Sequence, residues 1–127
     1  MNKVVSMLIM CLLFASCYED NSTALYPQST YAGSSTCDTT NVSFSKIIQP
    51  LLLQNCALAG CHASSSPTGG YRLDNYNGVR SIVLSGRILG AINHQTGYAT
   101  MPKDAAKLNA CQIGEITSWI DQGAKNN

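Results

Sequence analysis

The sequence predicts an all-α domain, and three observations carry that expectation. Apolar residues recur at helical spacing twice, at Phe44, Ile47, Ile48, Leu51 and Leu52 and again at Ile113, Ile116, Trp119 and Ile120. Glycine-marked turns separate shorter runs between these two segments. Strand signals are weak throughout. At 127 residues, 45% hydrophobic and 12% charged, the chain fits one small domain and is too short for two independent cores.

The first sixteen residues belong to no core. Met1, Asn2 and Lys3 give a positive start, residues 4–14 are an apolar run, and Leu13-Phe14-Ala15-Ser16-Cys17 resembles the lipobox of a bacterial lipoprotein signal peptide. The run is too short for a permanent transmembrane helix. Cleavage before Cys17 and acylation of that cysteine are expected, with a plain secretory signal or a buried strand as the alternatives. Residues 17–36 are rich in Ser, Thr, Asn and Tyr, carry Pro27 and Gly33, and show no periodicity. They read as a flexible tether with a reach on the order of 25 Å.

The remaining segment, 37–127, is the expected domain. Ser43 is placed to cap a first helix over 44–53, with Pro50 predicting either a kink or a second helix that starts near it, because proline lacks the donor a helix interior needs. Residues 75–84 and 86–92 read as short helices. Asn109 followed by Gln112 has the spacing of a capping box for the last helix, which Gly123 stops. Gly114 inside that helix costs about 1 kcal/mol relative to alanine, tolerable if another element approaches there.

Charge excludes some functions. Lys3 leaves with the leader, so seven basic residues face seven acidic ones and the mature chain is near neutral. No basic block or aromatic-interleaved patch points to nucleic acid. Arg72, Arg80, Arg87, Lys103 and Lys107 fall in the middle of the chain and read chiefly as a solvated face, with the carboxylates of a bound cofactor or an acidic partner as the functional alternative.

Cysteine carries the chemistry. Cys56-Ala57-Leu58-Ala59-Gly60-Cys61-His62 places two thiols and an imidazole where haem c could be attached and ligated: thiols add across the vinyl groups as thioethers, and the adjacent imidazole becomes the proximal ligand. Four residues separate the cysteines where two are usual. The intervening segment must therefore bulge, which its small residues and Gly60 permit. Attachment through both sulfurs is expected, with attachment through Cys61 alone as the alternative. Tyr98-Ala99-Thr100-Met101-Pro102 offers the Met101 thioether as distal ligand, and His94 is the competing donor. Pro67 and nearby backbone are candidates to accept the second ring hydrogen of His62.

In order and spacing, these pieces resemble the class I cytochromes c, and more closely the short lipoprotein cytochrome c domains of Bacteroidota. The resemblance covers 37–127 and includes the Ile-Gln-Pro-Leu-Leu run, the Cys56, Cys61 and His62 site, Gly69-Gly70-Tyr71-Arg72-Leu73-Asp74-Asn75-Tyr76, Met101-Pro102 and the ending Ile116 through Ala124. It implies terminal helices that cross beside one haem, with His62 below the iron and Met101 above. It also implies that Cys37 and Cys111 pair and clamp those helices, while a haem-free reading would place two disulfides among Cys37, Cys56, Cys61 and Cys111.

The functional expectation is a membrane-tethered electron carrier rather than an enzyme, holding one covalent haem c and exchanging electrons with partner proteins of an exported chain. The alternatives are a haem-based ligand-binding or sensor module and a haem-free, disulfide-stabilised surface lipoprotein. Export to the periplasmic side or cell surface follows from the leader, and Tyr18 after Cys17 leans toward the outer membrane by resemblance to sorting patterns.

Overall fold

Proline at position 50 decides how the first helical segment is built. The structure is a computed structural model that describes residues 37–65 and 67–127. The expected leader, Cys17 and the expected tether lie outside the described residues. Ser43 caps the segment by accepting from Lys46 N. A wide π-helical turn, Phe44–Ile48, then closes with Ile48 N donating to Ser43 O at 3.2 Å and Gln49 N to Phe44 O. Helix α1, Gln49–Asn55, follows with Pro50 in its first turn, where the missing donor costs nothing. The helical backbone runs on through Ile48 and Gln49, so Pro50 starts no separate helix; the widened π turn just before it takes up the missing donor.

Three further helices follow. Helix α2 spans Tyr76–Leu84, and its N-cap Asn75 accepts from Gly78 N at 3.0 Å. Helix α3 is Ile88–Ile92, two residues shorter at its start than the expected 86–92, because Gly86 sits at φ 71° in a left-handed turn. Helix α4, Ala110–Asp121, opens with the expected capping box, Asn109 and Gln112 satisfying each other's backbone donors at 2.9 and 3.0 Å. Gly123, at φ 95°, ends it. There is no strand among the described residues.

The core joins the two ends of the domain. Phe44, Ile48, Leu51 and Leu52 are buried with Ile116 and Trp119, and the Phe44 ring lies 5.5 Å from Trp119 and edge-on to Tyr76 at 5.1 Å. Trp119 Nε1 donates to Lys125 O and Tyr76 Oη to Ala124 O, so the polar tips of both rings are satisfied. Asn127 reaches back to the first turn, accepting from Phe44 N through Oδ1 and from Ser45 N through its carbonyl. These contacts supply an apolar lock with polar seals at its rim.

A disulfide joins Cys37 and Cys111, their Cα atoms 5.5 Å apart. It fixes residues 37–42 beside α4. Gln122 holds the same segment by donating to Thr39 O and Thr40 O and accepting from Val42 N. Gly114 faces this segment, but a side chain there would meet only Thr39 Cγ2 at 3.7 Å, an ordinary contact. No close approach therefore explains that glycine. Glu115 is buried in α4, and every buried side-chain polar atom among the described residues has a partner.

Candidate haem-attachment site

The site begins where α1 unwinds. Cys56 N and Ala57 N both donate to Leu52 O at 2.8 Å, ending the helix with a widened turn. A tight turn follows over residues 58–61, closed by Cys61 N to Leu58 O at 3.0 Å, with Gly60 at φ 77° supplying its left-handed corner. His62 N then returns to Cys56 O at 3.2 Å. The two extra residues are taken up by the bulge. Backbone closure between the first cysteine and the histidine is kept, as the small residues and Gly60 led one to expect.

His62 is fixed by its neighbours. Its carbonyl accepts from Leu73 N at 2.9 Å, and its Nδ1 lies 3.1 Å from Tyr71 O. A carbonyl only accepts, so Nδ1 carries the hydrogen and the neutral ring keeps its free lone pair on Nε2. That is the tautomer an Nε2 metal ligand needs. The acceptor is Tyr71 rather than Pro67, whose own carbonyl takes Gly70 N at 3.2 Å in a turn.

The strand of loop carrying Tyr71 is itself tied down. Thr68 N donates to Cys61 O at 2.7 Å, and Asp74 accepts from Ser64 N and Ser64 Oγ, both at 2.7 Å, and from Asn75 Nδ2 at 2.8 Å. These bonds, first the Ser64 hydroxyl and then its backbone N–H, hold the Asp74 carboxyl below its usual range. Helix α2 presses on this segment where Gly78 passes Arg72 O; a Cβ on Gly78 would sit 1.8 Å from that oxygen. Only glycine fits there.

The two thiols are unequal. Both are free, Cys61 exposed and Cys56 half-buried against the core. Burial pushes the Cys56 thiol up to about 11, with Cys61 adding to the effect. Cys56 and Cys61 are not bridged to each other.

Met101 is held by a separate set of bonds at the end of α3. Its N–H donates to Ala91 O at 3.1 Å, and its carbonyl accepts from His94 Nε2 at 3.0 Å. The Met101-Pro102 peptide is cis. The Tyr98 ring packs onto Gly90, where a Cβ would lie 2.6 Å from the ring. His94 thus spends Nε2 on Met101, and to offer that nitrogen to a metal it would have to release the loop. Arg72, Arg87, Lys103 and Lys107 are exposed and Arg80 half-buried.

A haem demands an imidazole with one free nitrogen, thiols beside it and apolar side chains to cover the ring. Cys56, Cys61 and His62 meet the first two of those demands. Large apolar side chains left exposed are Leu58 at 48% within the cysteine loop, Leu53 at 44% one turn before Cys56, Tyr98 at 43% in the Met101 loop and Leu84 at the end of α2. No three His, Cys, Asp or Glu side chains among the described residues could together hold a metal ion. A haem brings its own ring nitrogens and asks the protein only for axial donors.

Two open depressions lie elsewhere on the surface. One, of about 670 Å³, runs along α4 past Ile113, Gly114 and Thr117; the other, of about 460 Å³, lies over Arg72, Asn75 and Gly78. Neither is lined by Cys56, Cys61, His62 or Met101. No described helix is long and apolar enough to cross a membrane. No protein family, curated protein or solved structure matched the chain.

Proposed function

We propose that residues 37–127 form a single-haem c-type cytochrome domain, tethered to a membrane through lipid on Cys17, that carries electrons between exported redox proteins and transforms no substrate. The observation that carries this reading is the cysteine loop: two free thiols and a histidine gathered by one backbone closure, with His62 Nδ1 donating to Tyr71 O and Nε2 left with its lone pair.

When bound, haem iron supplies a one-electron ferric–ferrous couple. The chain's own residues do the rest. Cys56 and Cys61 would hold the ring through their sulfurs, and His62 would be an iron ligand through Nε2. Met101 provides a soft thioether that favours ferrous iron and raises the potential relative to a second imidazole. Leu53, Leu58 and Tyr98 cover ring surface and exclude water. The Phe44–Trp119 contact and the disulfide keep the scaffold from shifting as the charge on the iron changes.

Ferrous wild-type protein should be slow to take up carbon monoxide, because Met101 occupies the distal position. Met101→Ala should bind it readily and show a lower potential. An unaltered spectrum and potential in that variant would remove Met101 from the site. Ready carbon monoxide binding by the wild type would instead favour a ligand-binding or sensor module.

A further inference from the structure

His94 bonds the Met101 loop from the end of α3. Its backbone sits at φ 57°, the left-handed residue of the turn that stops α3, where Gln95 N donates to Gly90 O and His94 N to Ala91 O just after the C-cap Asn93. That turn sends the side chain back across seven residues of loop to Met101 O, 3.0 Å from Nε2. Ala91 O also takes Met101 N. The two ends of the loop therefore meet at one carbonyl of α3, and the His94 ring closes the circuit on the other side of the Met101 peptide.

We propose that His94 is a positioning residue for Met101: its Nε2–H, bonded to the Met101 carbonyl, holds the thioether loop closed against α3 so that the sulfur stays at the metal in both oxidation states. The proposal rests on Met101 being the distal ligand. The acceptor is a carbonyl, so the hydrogen is on His94 Nε2, and that nitrogen acts on the metal through Met101 rather than as a ligand. Two backbone bonds and the Tyr98 ring on Gly90 fix where the loop leaves and rejoins α3. Neither backbone bond engages the Met101 carbonyl, which the His94 bond alone holds among the hydrogen bonds of this loop. Losing one hydrogen bond of ordinary strength shifts a closed-to-open ratio by roughly five-fold.

The experiment uses two variants of the haem-loaded full chain. His94→Asn keeps a side chain tolerant of the left-handed backbone but is too short to reach Met101, whereas His94→Gln places an amide donor about where Nε2 lies. The proposal expects His94→Asn to take up carbon monoxide about five-fold faster in the ferrous state, to show a lower potential, and to exchange the Met101 amide hydrogen about five-fold faster. His94→Gln should return all three toward wild type. Equal carbon monoxide rates, potentials and exchange in wild type and His94→Asn would overturn the positioning role while leaving Met101 as ligand. A glutamine variant as altered in its visible spectrum as the asparagine variant would also overturn it, since that marks His94 as a ligand. If Met101→Ala changes neither spectrum nor potential, the distal-ligand reading fails and the role of His94 falls with it.

Discussion

Replacing Cys37 and Cys111 together by serine removes the covalent tie between the segment before the first helix and the first turn of α4. The bridge closes a loop with a sequence separation of 74. In the chain-entropy treatment a loop of that length restricts the unfolded chain by about 4.4 kcal/mol at 25 °C. Small domains have a net stability of roughly 5–15 kcal/mol, so the loss is a large fraction of the whole. For a domain the size of residues 37–127 it corresponds to a fall in Tm on the order of 20 °C. Gln122 still grips Thr39 O, Thr40 O and Val42 N in the double variant, so the segment should remain docked and the fold recognisable by circular dichroism. Thermal and urea unfolding of the oxidised wild type against the double variant provides the measurement. A Tm drop of under about 5 °C would refute the reasoning, because it would mean that the unfolded chain is already held compact without the bridge.

Other outcomes follow from single positions. Gly78→Ala should destabilise the domain by on the order of 1–3 kcal/mol, since its Cβ would collide with Arg72 O, whereas Gly114→Ala should raise stability by about 0.5–1 kcal/mol; urea midpoints for the pair test both signs. Asp74 has a carboxyl pKa lowered by Ser64, so its contribution is present above the unfolded value near 4 and is lost as pH falls through the lower folded value. Asp74→Asn should therefore flatten the acid limb of the stability–pH curve in that window, and an unchanged limb would count against the Ser64 bonds. Asn109→Ala removes one half of the capping box and should lower stability by about 1 kcal/mol, with a matching shift in urea midpoint.

Local signals made the helices legible in the sequence. Ser43, Pro50, Asn109 with Gln112, and Gly123 act on their immediate neighbours, so their effect can be read without knowing the fold. The apolar spacing likewise marked Phe44, Ile48, Leu51, Leu52, Ile116 and Trp119, all of which are buried. Features that depend on distant partners were harder to read. Helical spacing gives no hint that Glu115 is buried, because it concerns apolar positions only. Gly78 looks like an ordinary helix glycine until Arg72 is brought against it by a turn six residues earlier.

The candidate site divides in the same way. Cys56, Cys61 and His62 are contiguous, and the bulge at Gly60 could be anticipated from residue size and backbone freedom. The identity of the carbonyl facing His62 could not, since Tyr71 reaches it only through the bonds of Thr68, Leu73 and Asp74. His94 read as a competing ligand, because its bond to the Met101 carbonyl depends on how the loop returns to α3.

Covalent attachment at the cysteine loop is the claim on which the functional account stands, and mass spectrometry tests it most directly. Protein made alongside a cytochrome c maturation system should gain the mass of one haem and keep both that mass and its visible spectrum in denaturant. The peptide bearing residues 56–62 should carry the haem through both sulfurs, leaving no free thiol on Cys56 or Cys61. A chain that matures without haem, or that releases its haem on denaturation, would contradict the account.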